Sequence, residues 1–367
     1  MILIRIVAAI VGGALATYTF YSALLTFVVP RSASNLLTGI VFRSVRFVFD
    51  WIAGRLPTYE QRDKLMAVYA PLSLLLLVPF WLLLVALGYS LIYWSLGITP
   101  WREAFIASGS SLLTLGYVNF DTLGFHLFSF SEAVIGLVMV AMLIAYLPTM
   151  YSAFSQRETA VSMLEVRAGW PPTAPELIWR SHSMNAGAGI ERRFWESWEE
   201  WFTEIDESHT SLAALVFFRS PRSNQSWVNA AGVILDAASM QVSVIDERFQ
   251  PYPALVIRAG TQALRHIAEY FKVSFNSDPH FPQDPIAVSR EEFDAAYDRL
   301  KKQGVPLKED RDLAWQNFAG WRVNYDGVLN ALARMTMAPE VSWLSEYTFA
   351  PPDPDSGETA GQLKKAD

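Results

Sequence analysis

The sequence is poor in several residue types, and each scarcity excludes a class of structure. It contains no cysteine, so it forms neither a disulfide bond nor a cysteine-ligated metal site. Charge is scarce before residue 155 and absent between Leu65 and Trp101. The chain has 367 residues, of which 52% are hydrophobic, so it is long enough for an apolar membrane portion followed by a soluble domain.

The residue patterns of enzyme chemistry are also missing. No Gly-x-Gly-x-x-Gly motif follows a strand pattern, so a nucleotide-binding regulatory domain is not supported. No basic patch indicates a nucleic-acid partner. The sequence therefore predicts neither an enzyme, nor a cofactor, nor a metal site. The histidines lack the spacing of a metal site or of a nucleophile with its base: His182, His209, His266 and His280.

Three apolar stretches are long enough to cross a membrane, at about residues 2–29, 68–96 and 131–154. The first has a small-x-small site at Ala14-Leu15-Ala16, but its apolar run continues to Val29, so we interpret it as an uncleaved helix rather than a signal peptide. The second carries prolines inside it and aromatic residues at its far end, which we expect to form an interfacial belt. These residues are Pro71, Pro79, Tyr89, Tyr93, Trp94 and Trp101.

Residues 30–67 have the composition of a basic amphipathic segment. Six Lys and Arg lie between positions 30 and 64, whereas only Arg102 lies between 99 and 130. By the positive-inside rule, residues 30–67 and everything after 155 face the cytoplasm of a multi-pass protein of the plasma (cell inner) membrane. The amphipathic segment either lies along the membrane surface or is a plain loop that packs on the soluble domain.

Residues 99–121 form a short interrupted element between the second and third spans. Thr99 is a plausible N-cap, and Pro100 suits the first helical position. After about a dozen residues the helical pattern ends at Thr114-Leu115-Gly116-Tyr117-Val118. A helix this short cannot span about 30 Å of hydrocarbon, so the pattern predicts a re-entrant loop.

The sequence around Gly116 resembles the selectivity loop of the potassium-channel superfamily, in which loops from four subunits present carbonyl oxygens to a dehydrated cation. The resemblance implies a homotetramer in the lipid membrane, with a permeant monovalent cation, K⁺-like, bound by Thr114, Leu115, Gly116, Tyr117 and Val118. It further implies that Ser110 and Ser111 support the loop from the pore helix, that Tyr117 braces it, and that Gly136 and Pro148 are gate or hinge candidates. Val118 stands where the family has a second glycine. Since a β-branched residue is an outlier at positive φ, we expect the outermost carbonyl to turn differently.

We expect residues 156–349 to form a helical cytoplasmic domain and residues 350–367 a disordered tail. The first helix of the domain continues from the membrane through residues 156–168 and is ended by Gly169. In the helix near residues 190–207, aromatic residues at helical spacing alternate with glutamates, including Trp198, Trp201 and Glu200. This pattern favours a tryptophan core with a solvated acidic face over a metal site. No sustained alternation predicts a sheet.

The sequence predicts an all-α membrane protein: a two-helix-plus-pore-loop channel unit with an extra N-terminal transmembrane helix and a helical cytoplasmic domain. The predicted segments are 1–29, 30–67, 68–155, 156–349 and 350–367. Two functions fit them. One is a cation channel gated through the cytoplasmic domain, whose ligand the sequence does not indicate. The other is a non-conducting, membrane-anchored sensor or interaction protein.

Overall fold

The computed structural model describes residues 2–29, 35–184, 190–223, 225–247, 250–340, 343, 347–348 and 364–365. These residues are almost entirely helical, and they divide into two compact units, Met1–Ala153 and Phe154–Asp367. The predicted tail 350–367 lies outside the described residues except for Lys364–Lys365, and so do residues 30–34 of the amphipathic segment.

Helices of the first unit include three that are long and apolar enough to cross a membrane, namely α1, α3 and α5. The chain is therefore an all-α membrane protein with several candidate spans. The helices are α1 (Ile2–Phe27), α2 (Leu36–Ala53), α3 (Tyr59–Ser95), α4 (Trp101–Leu112) and α5 (Leu123–Ala168), the last of which continues into the second unit.

Helices α3 and α5 are longer than the apolar stretches that predict them. The second span was expected at residues 68–96, but α3 begins at Tyr59, because Thr58 caps it through the backbone N–H of Gln61. The third was expected at 131–154, but α5 begins earlier, at Leu123; its continuation to Ala168 and its end before Gly169, which has a φ of +78°, agree with the helix predicted there. Hydropathy detects only the part of a helix that is apolar, so the polar turns at both ends escape it.

Helices α1 and α3 pack closely through two glycines. A Cβ atom on Gly12 would lie 2.4 Å from the backbone oxygen of Gly88, and a Cβ on Gly88 would lie 2.8 Å from that of Gly12. Small residues let helix backbones approach in this way, which is how membrane helices gain contact without a hydrophobic driving force. The extra N-terminal helix is thus built onto α3.

One face of helix α2 packs on α3, and another face is exposed. Phe42 and Phe49 pack against the Tyr69 ring, whose hydroxyl donates to the Phe42 carbonyl at 3.3 Å. On a different face, Phe47 and Trp51 are 73% and 58% exposed. The predicted amphipathic character is therefore present, with apolar side chains on both the packed and the open face.

The aromatic belt predicted at the end of α3 is wrong for two of its members. Tyr93 is fully buried and Tyr89 nearly so, because α4 and α5 pack against this end of α3. The Tyr89 hydroxyl lies 2.8 Å from the Ser131 hydroxyl of α5. An interfacial residue would face lipid, whereas these two lie inside the unit.

The second unit is built from the end of α5 and a set of shorter helices. Several begin at side-chain caps, as at Ser226, Asp310 and Ser289, the last forming a complete capping box with Glu292. The only described strands are the antiparallel pair β1 (Tyr347–Thr348) and β2 (Lys364–Lys365). The helices are α6 (Ala174–Met184), α7 (Arg192–Ser211), α8 (Trp227–Ser243), α9 (Tyr252–Tyr270), α10 (Arg290–Lys302) and α11 (Arg311–Thr336), with a short 3₁₀ helix at Ala213–Phe217.

Tryptophans of α7 form part of the core of this unit, as the spacing predicted. Trp195, Trp198 and Trp201 are buried, whereas Glu200 and Glu204 on the opposite side are exposed. Such a division is the ordinary consequence of an amphipathic helix that packs on one side. Among the described residues, no cluster of histidines and carboxylates has the geometry of a metal site.

A buried polar network joins α8 to α11. Arg322 donates to Asp236 on α8 and, at 2.8 Å, to Asp326 on its own helix. Asp236 also accepts from Tyr325 at 2.8 Å and from Trp343 at 2.9 Å. Burial, followed by the Asp236 charge, raises the pKa of the Tyr325 phenol, which stays a donor. A fully partnered network of this kind fixes the register of two packed helices.

His209 at the end of α7 is buried beside a cation. Its Nε2 lies 3.2 Å from Nη1 of Arg157, and its ring packs 4.7 Å from that of Trp227. Burial, reinforced by the Arg157 charge, lowers the pKa of His209 well below 6.5. The imidazole is therefore neutral in the folded protein and accepts from the guanidinium.

Replacing Gly12 by alanine should destabilise the first unit, because the new Cβ would collide with the Gly88 backbone. We expect a loss of about 1–3 kcal/mol, seen as a lower thermal midpoint in detergent. Gly13→Ala is the matched control, since a Cβ at Gly13 meets nothing within 4 Å. Equal midpoints for the two variants would contradict the close packing of α1 on α3.

Acidification should destabilise the second unit through His209. Below the ordinary histidine pKa of about 6.5, the unfolded chain binds a proton that the folded chain excludes, so stability falls as pH falls. One such group contributes a slope of up to about 1.4 kcal/mol per pH unit. We expect His209→Gln to lose that share of the slope when unfolding of the full chain is followed from about pH 7.5 to about pH 5. Identical slopes in wild type and variant would refute the assignment.

Candidate functional site

Helix α4 enters the first unit beside the end of α3 and runs inward. It begins at Trp101, one residue later than predicted, so Pro100 and not Thr99 occupies the N-cap position. Seven residues later, the Ser108 hydroxyl lies 3.0 Å from the carbonyl oxygen of Ala86 on α3. Ala86 precedes the last residue of α3, Ser95, by nine residues, which is about 14 Å of helix.

The far end of α4 stops against the middle of α5. A Cβ on Gly136 would lie 2.4 Å from the carbonyl oxygen of Leu112, so only glycine allows this approach. Gly136 follows the start of α5 at Leu123 by 13 residues, or about 20 Å along that helix. The chain then returns through residues 113–122 to the start of α5, so α4 and its loop go into the first unit and come back to the same end of it.

The loop backbone alternates in hand over its first residues. Thr114 has a φ of +56° and Gly116 a φ of +72°, whereas Leu115, Tyr117 and Val118 do not have positive φ. Glycine adopts this conformation at little cost, but the β-branched Thr114 is an unexpected outlier. As expected for its residue type, Val118 does not continue the alternation.

The N–H groups of the loop have hydrogen-bond partners at most positions, whereas its carbonyl groups have none among the described residues. The Ser110 hydroxyl accepts from the backbone N–H of Tyr117 at 2.7 Å and of Val118 at 3.3 Å. The N–H groups of Thr114 and Leu115 bond to carbonyls of α4. By contrast, within the described part of the chain no donor bonds to any of the five carbonyl oxygens from Thr114 to Val118.

Side chains of the loop are open in the single chain. Leu113 and Leu115 are about half exposed at 53% and 50%, and Tyr117 is 77% exposed. The expectation that Tyr117 braces the loop against neighbouring helices is therefore wrong within one chain. Phe120 instead anchors the segment that leads from the loop back to α5. Its ring is stacked on those of Tyr93 and Phe125, with centroids 5.6 Å apart in each pair.

Of the two predicted support serines, the Ser110 side chain contacts the loop and the Ser111 side chain contacts α5. Ser110 holds the loop amides, and Ser111 accepts from Ser129 of α5 at 2.8 Å. Gly136 lies at the end of α4 as a close-packing position, while Pro148 is exposed within α5, remote in sequence from the loop. Their role as hinges stays a prediction.

Sequence reasoning missed Glu132, which the structure places behind α4. Its side chain is fully buried, accepts from the Tyr93 hydroxyl at 3.1 Å, and lies within hydrogen-bond distance of the Ser108 hydroxyl. The signal was a single acid inside an otherwise apolar predicted span. Ionisable residues are rare in such segments and mark functional sites by default.

Comparison with known proteins adds no family to this geometry. No protein-family model, no curated protein and no solved structure matches the chain. The site therefore has to be interpreted from its own chemistry: a helix end, a strained turn, and a row of carbonyl oxygens without internal donors.

Removing the Ser110 hydroxyl should loosen the loop. In Ser110→Ala the N–H groups of Tyr117 and Val118 lose their acceptor, which costs about 0.5–1.5 kcal/mol per hydrogen bond at these partly buried groups. We expect hydrogen exchange in peptides covering residues 113–120 to accelerate by roughly tenfold or more. Ser95→Ala is the control, because the Ser95 hydroxyl bonds only to the Ile92 carbonyl of its own helix. Unchanged exchange in Ser110→Ala would mean that the serine does not hold the loop.

Proposed function

We propose that the chain is a subunit of a cation channel whose filter is formed by residues 114–118 of several identical copies. The observation that carries the proposal is the row of carbonyl oxygens from Thr114 to Val118 without an internal donor, on a re-entrant loop. Carbonyl oxygens arranged around an axis replace the water shell of a dehydrated monovalent cation.

The depth of the loop supports this role. If α3 and α5 cross a membrane, the end of α4 lies about 20 Å below the start of α5, which is well inside a hydrocarbon core of about 30 Å. Non-helical backbone at that depth is stable only when it is covered by protein or lines a water-filled path. Since residues 113–117 are exposed in one chain, other copies of the chain are the natural cover.

The electrostatics of α4 also suit a cation. Its C-terminal end, at Leu112, carries the partial negative charge of the helix dipole and lies next to the loop. The Thr114 hydroxyl can add a ligand at the inner end. Because the alternation of hand stops at Val118, we expect fewer or weaker sites than in a filter with two glycines, and a K⁺ preference that is reduced rather than absent.

The remaining features of the proposal follow from the resemblance and from the charge distribution. Four copies would complete the filter, as in the potassium-channel superfamily. By the positive-inside rule, residues 30–67 and the second unit face the cytoplasm, with the chain in the cell inner membrane, and the helical unit would act on gating. Helix α2, with Arg43 beside its open apolar face, would then lie along the inner membrane surface.

Ion flux from liposomes containing the purified chain tests the channel. We expect wild type to carry K⁺ and the flux through Gly116→Asp to be at least about tenfold lower. The reason is that the variant places a Cβ and a charge at a positive-φ filter position. Gly97→Asp is the matched control: Gly97 also has positive φ, at +119°, and open space around it, but it lies before α4.

Equal leakage through wild type and Gly116→Asp would overturn the filter assignment. Particle size in mild detergent gives an independent result, since four-fold particles support a channel. A monomer or dimer that carries no flux would instead indicate the non-conducting membrane-anchored sensor or interaction protein.

A further inference from the structure

Glu132 is the least expected side chain of the first unit. It is 0% exposed on α5, within a helix that is apolar enough to cross a membrane. Among the described residues, no arginine or lysine pairs with it, and its partners are the hydroxyls of Tyr93 and Ser108. Burying an ionised carboxylate without a counter-ion costs much free energy, so an acid in such a position marks a candidate functional residue.

The carboxyl group joins three helices at one point. Tyr93 belongs to α3, Ser108 to α4 and Glu132 to α5. The Ser108 hydroxyl also lies 3.0 Å from the Ala86 carbonyl of α3. The position of α4 between its two neighbours therefore depends on this cluster of oxygens.

The cluster connects to the loop by two short paths. Ser110, two residues after Ser108 on α4, holds the N–H groups of Tyr117 and Val118. Tyr93, which donates to Glu132, stacks on Phe120 where the loop returns. A displacement of α4 relative to α3 and α5 would consequently reach the loop from both ends.

A count of hydrogens indicates the state of the acid. The Ser108 hydroxyl has one hydrogen, yet it lies within hydrogen-bond distance of two oxygens, the Ala86 carbonyl and Oε1 of Glu132. If Oε1 carries a proton, it donates to Ser108, Ser108 donates to Ala86, and Oε2 accepts from Tyr93. A carboxylate has no hydrogen to offer, and it would leave the Ser108 contact with Ala86 unbonded, with the Ala86 carbonyl then accepting from the Ser90 hydroxyl at 2.6 Å.

We propose that Glu132 is a positioning residue for the 114–118 loop and that it acts as a neutral carboxylic acid. Its O–H donates to Ser108, and its second oxygen accepts from Tyr93. The acid thereby holds α4 at the depth and rotation that the loop requires. The consequence for ion flux rests on the proposed channel function, whereas the structural consequence does not.

The test exploits the absence of cysteine, because Asn119→Cys supplies a single exposed reporter thiol beside the loop. We expect Glu132→Leu, which removes both hydrogen bonds, to change the rate of thiol labelling at this position by about tenfold. Glu132→Gln should leave the rate near that of wild type, because the amide donates and accepts in the same places as the neutral acid. Ser108→Ala provides a milder change in case Glu132→Leu does not fold. Glu103→Leu, at a half-exposed acid on α4, is the matched control.

Each outcome decides the proposal. Unchanged labelling in both Glu132→Leu and Ser108→Ala would overturn the positioning role. Labelling in Glu132→Gln that matches Glu132→Leu would overturn the neutral acid, since a charged carboxylate would then be required. An infrared C=O band of a protonated carboxyl at neutral pH that disappears in Glu132→Gln would support it directly. If the labelling pattern holds but wild-type liposomes carry no flux, the channel proposal fails and the positioning role stands.

Discussion

A peptide group removed from water needs a partner for its N–H and another for its C=O. In the loop of the first unit, four of the five N–H groups from Thr114 to Val118 have a partner among the described residues, and none of the five C=O groups has one. Serine and helix carbonyls satisfy the amides of Thr114, Leu115, Tyr117 and Val118. In a hydrocarbon environment each unsatisfied carbonyl would cost several kcal/mol. At membrane depth the open carbonyls would therefore be tolerable only beside water, a cation or further protein.

The surrounding helices position that loop in two ways: glycines allow close backbone contacts at some points, and buried polar side chains form hydrogen bonds at others. Gly136 lets the end of α4 reach the α5 backbone, and Gly12 with Gly88 lets α1 support α3 from the other side. Glu132 adds a directional contact that apolar packing lacks, because a hydrogen bond fixes rotation as well as distance. Packing sets how close the helices lie, and the buried acid sets their register.

The elements were predictable from local sequence, but the contacts between them were not. Apolar runs predicted three long helices, and the end of the helical pattern near Leu113 predicted a short one. All four helices are present, and the three long ones are apolar enough to cross a membrane. The polar start of α3 was missed because its helicity depends on the Thr58 cap rather than on apolar residues. The burial of Tyr93 and the partners of Glu132 depend on residues far away in sequence, which periodicity does not report. The filter assignment itself stays a prediction, resting on resemblance and on open carbonyls.

Thr114 shows why strain in the loop matters. The positive-φ residues that are not glycine are, among the described ones, Thr114, Lys272 and Met337, and only Thr114 is β-branched, the class for which this conformation is most costly. Gly169, after α5, shows that the chain uses glycine where a helix simply needs to end. Retaining threonine after α4 costs on the order of 1 kcal/mol or more, which neighbouring contacts must offset. That cost is explained if the hydroxyl is needed at the inner end of the row of carbonyls, with its conformation fixed before any ion arrives.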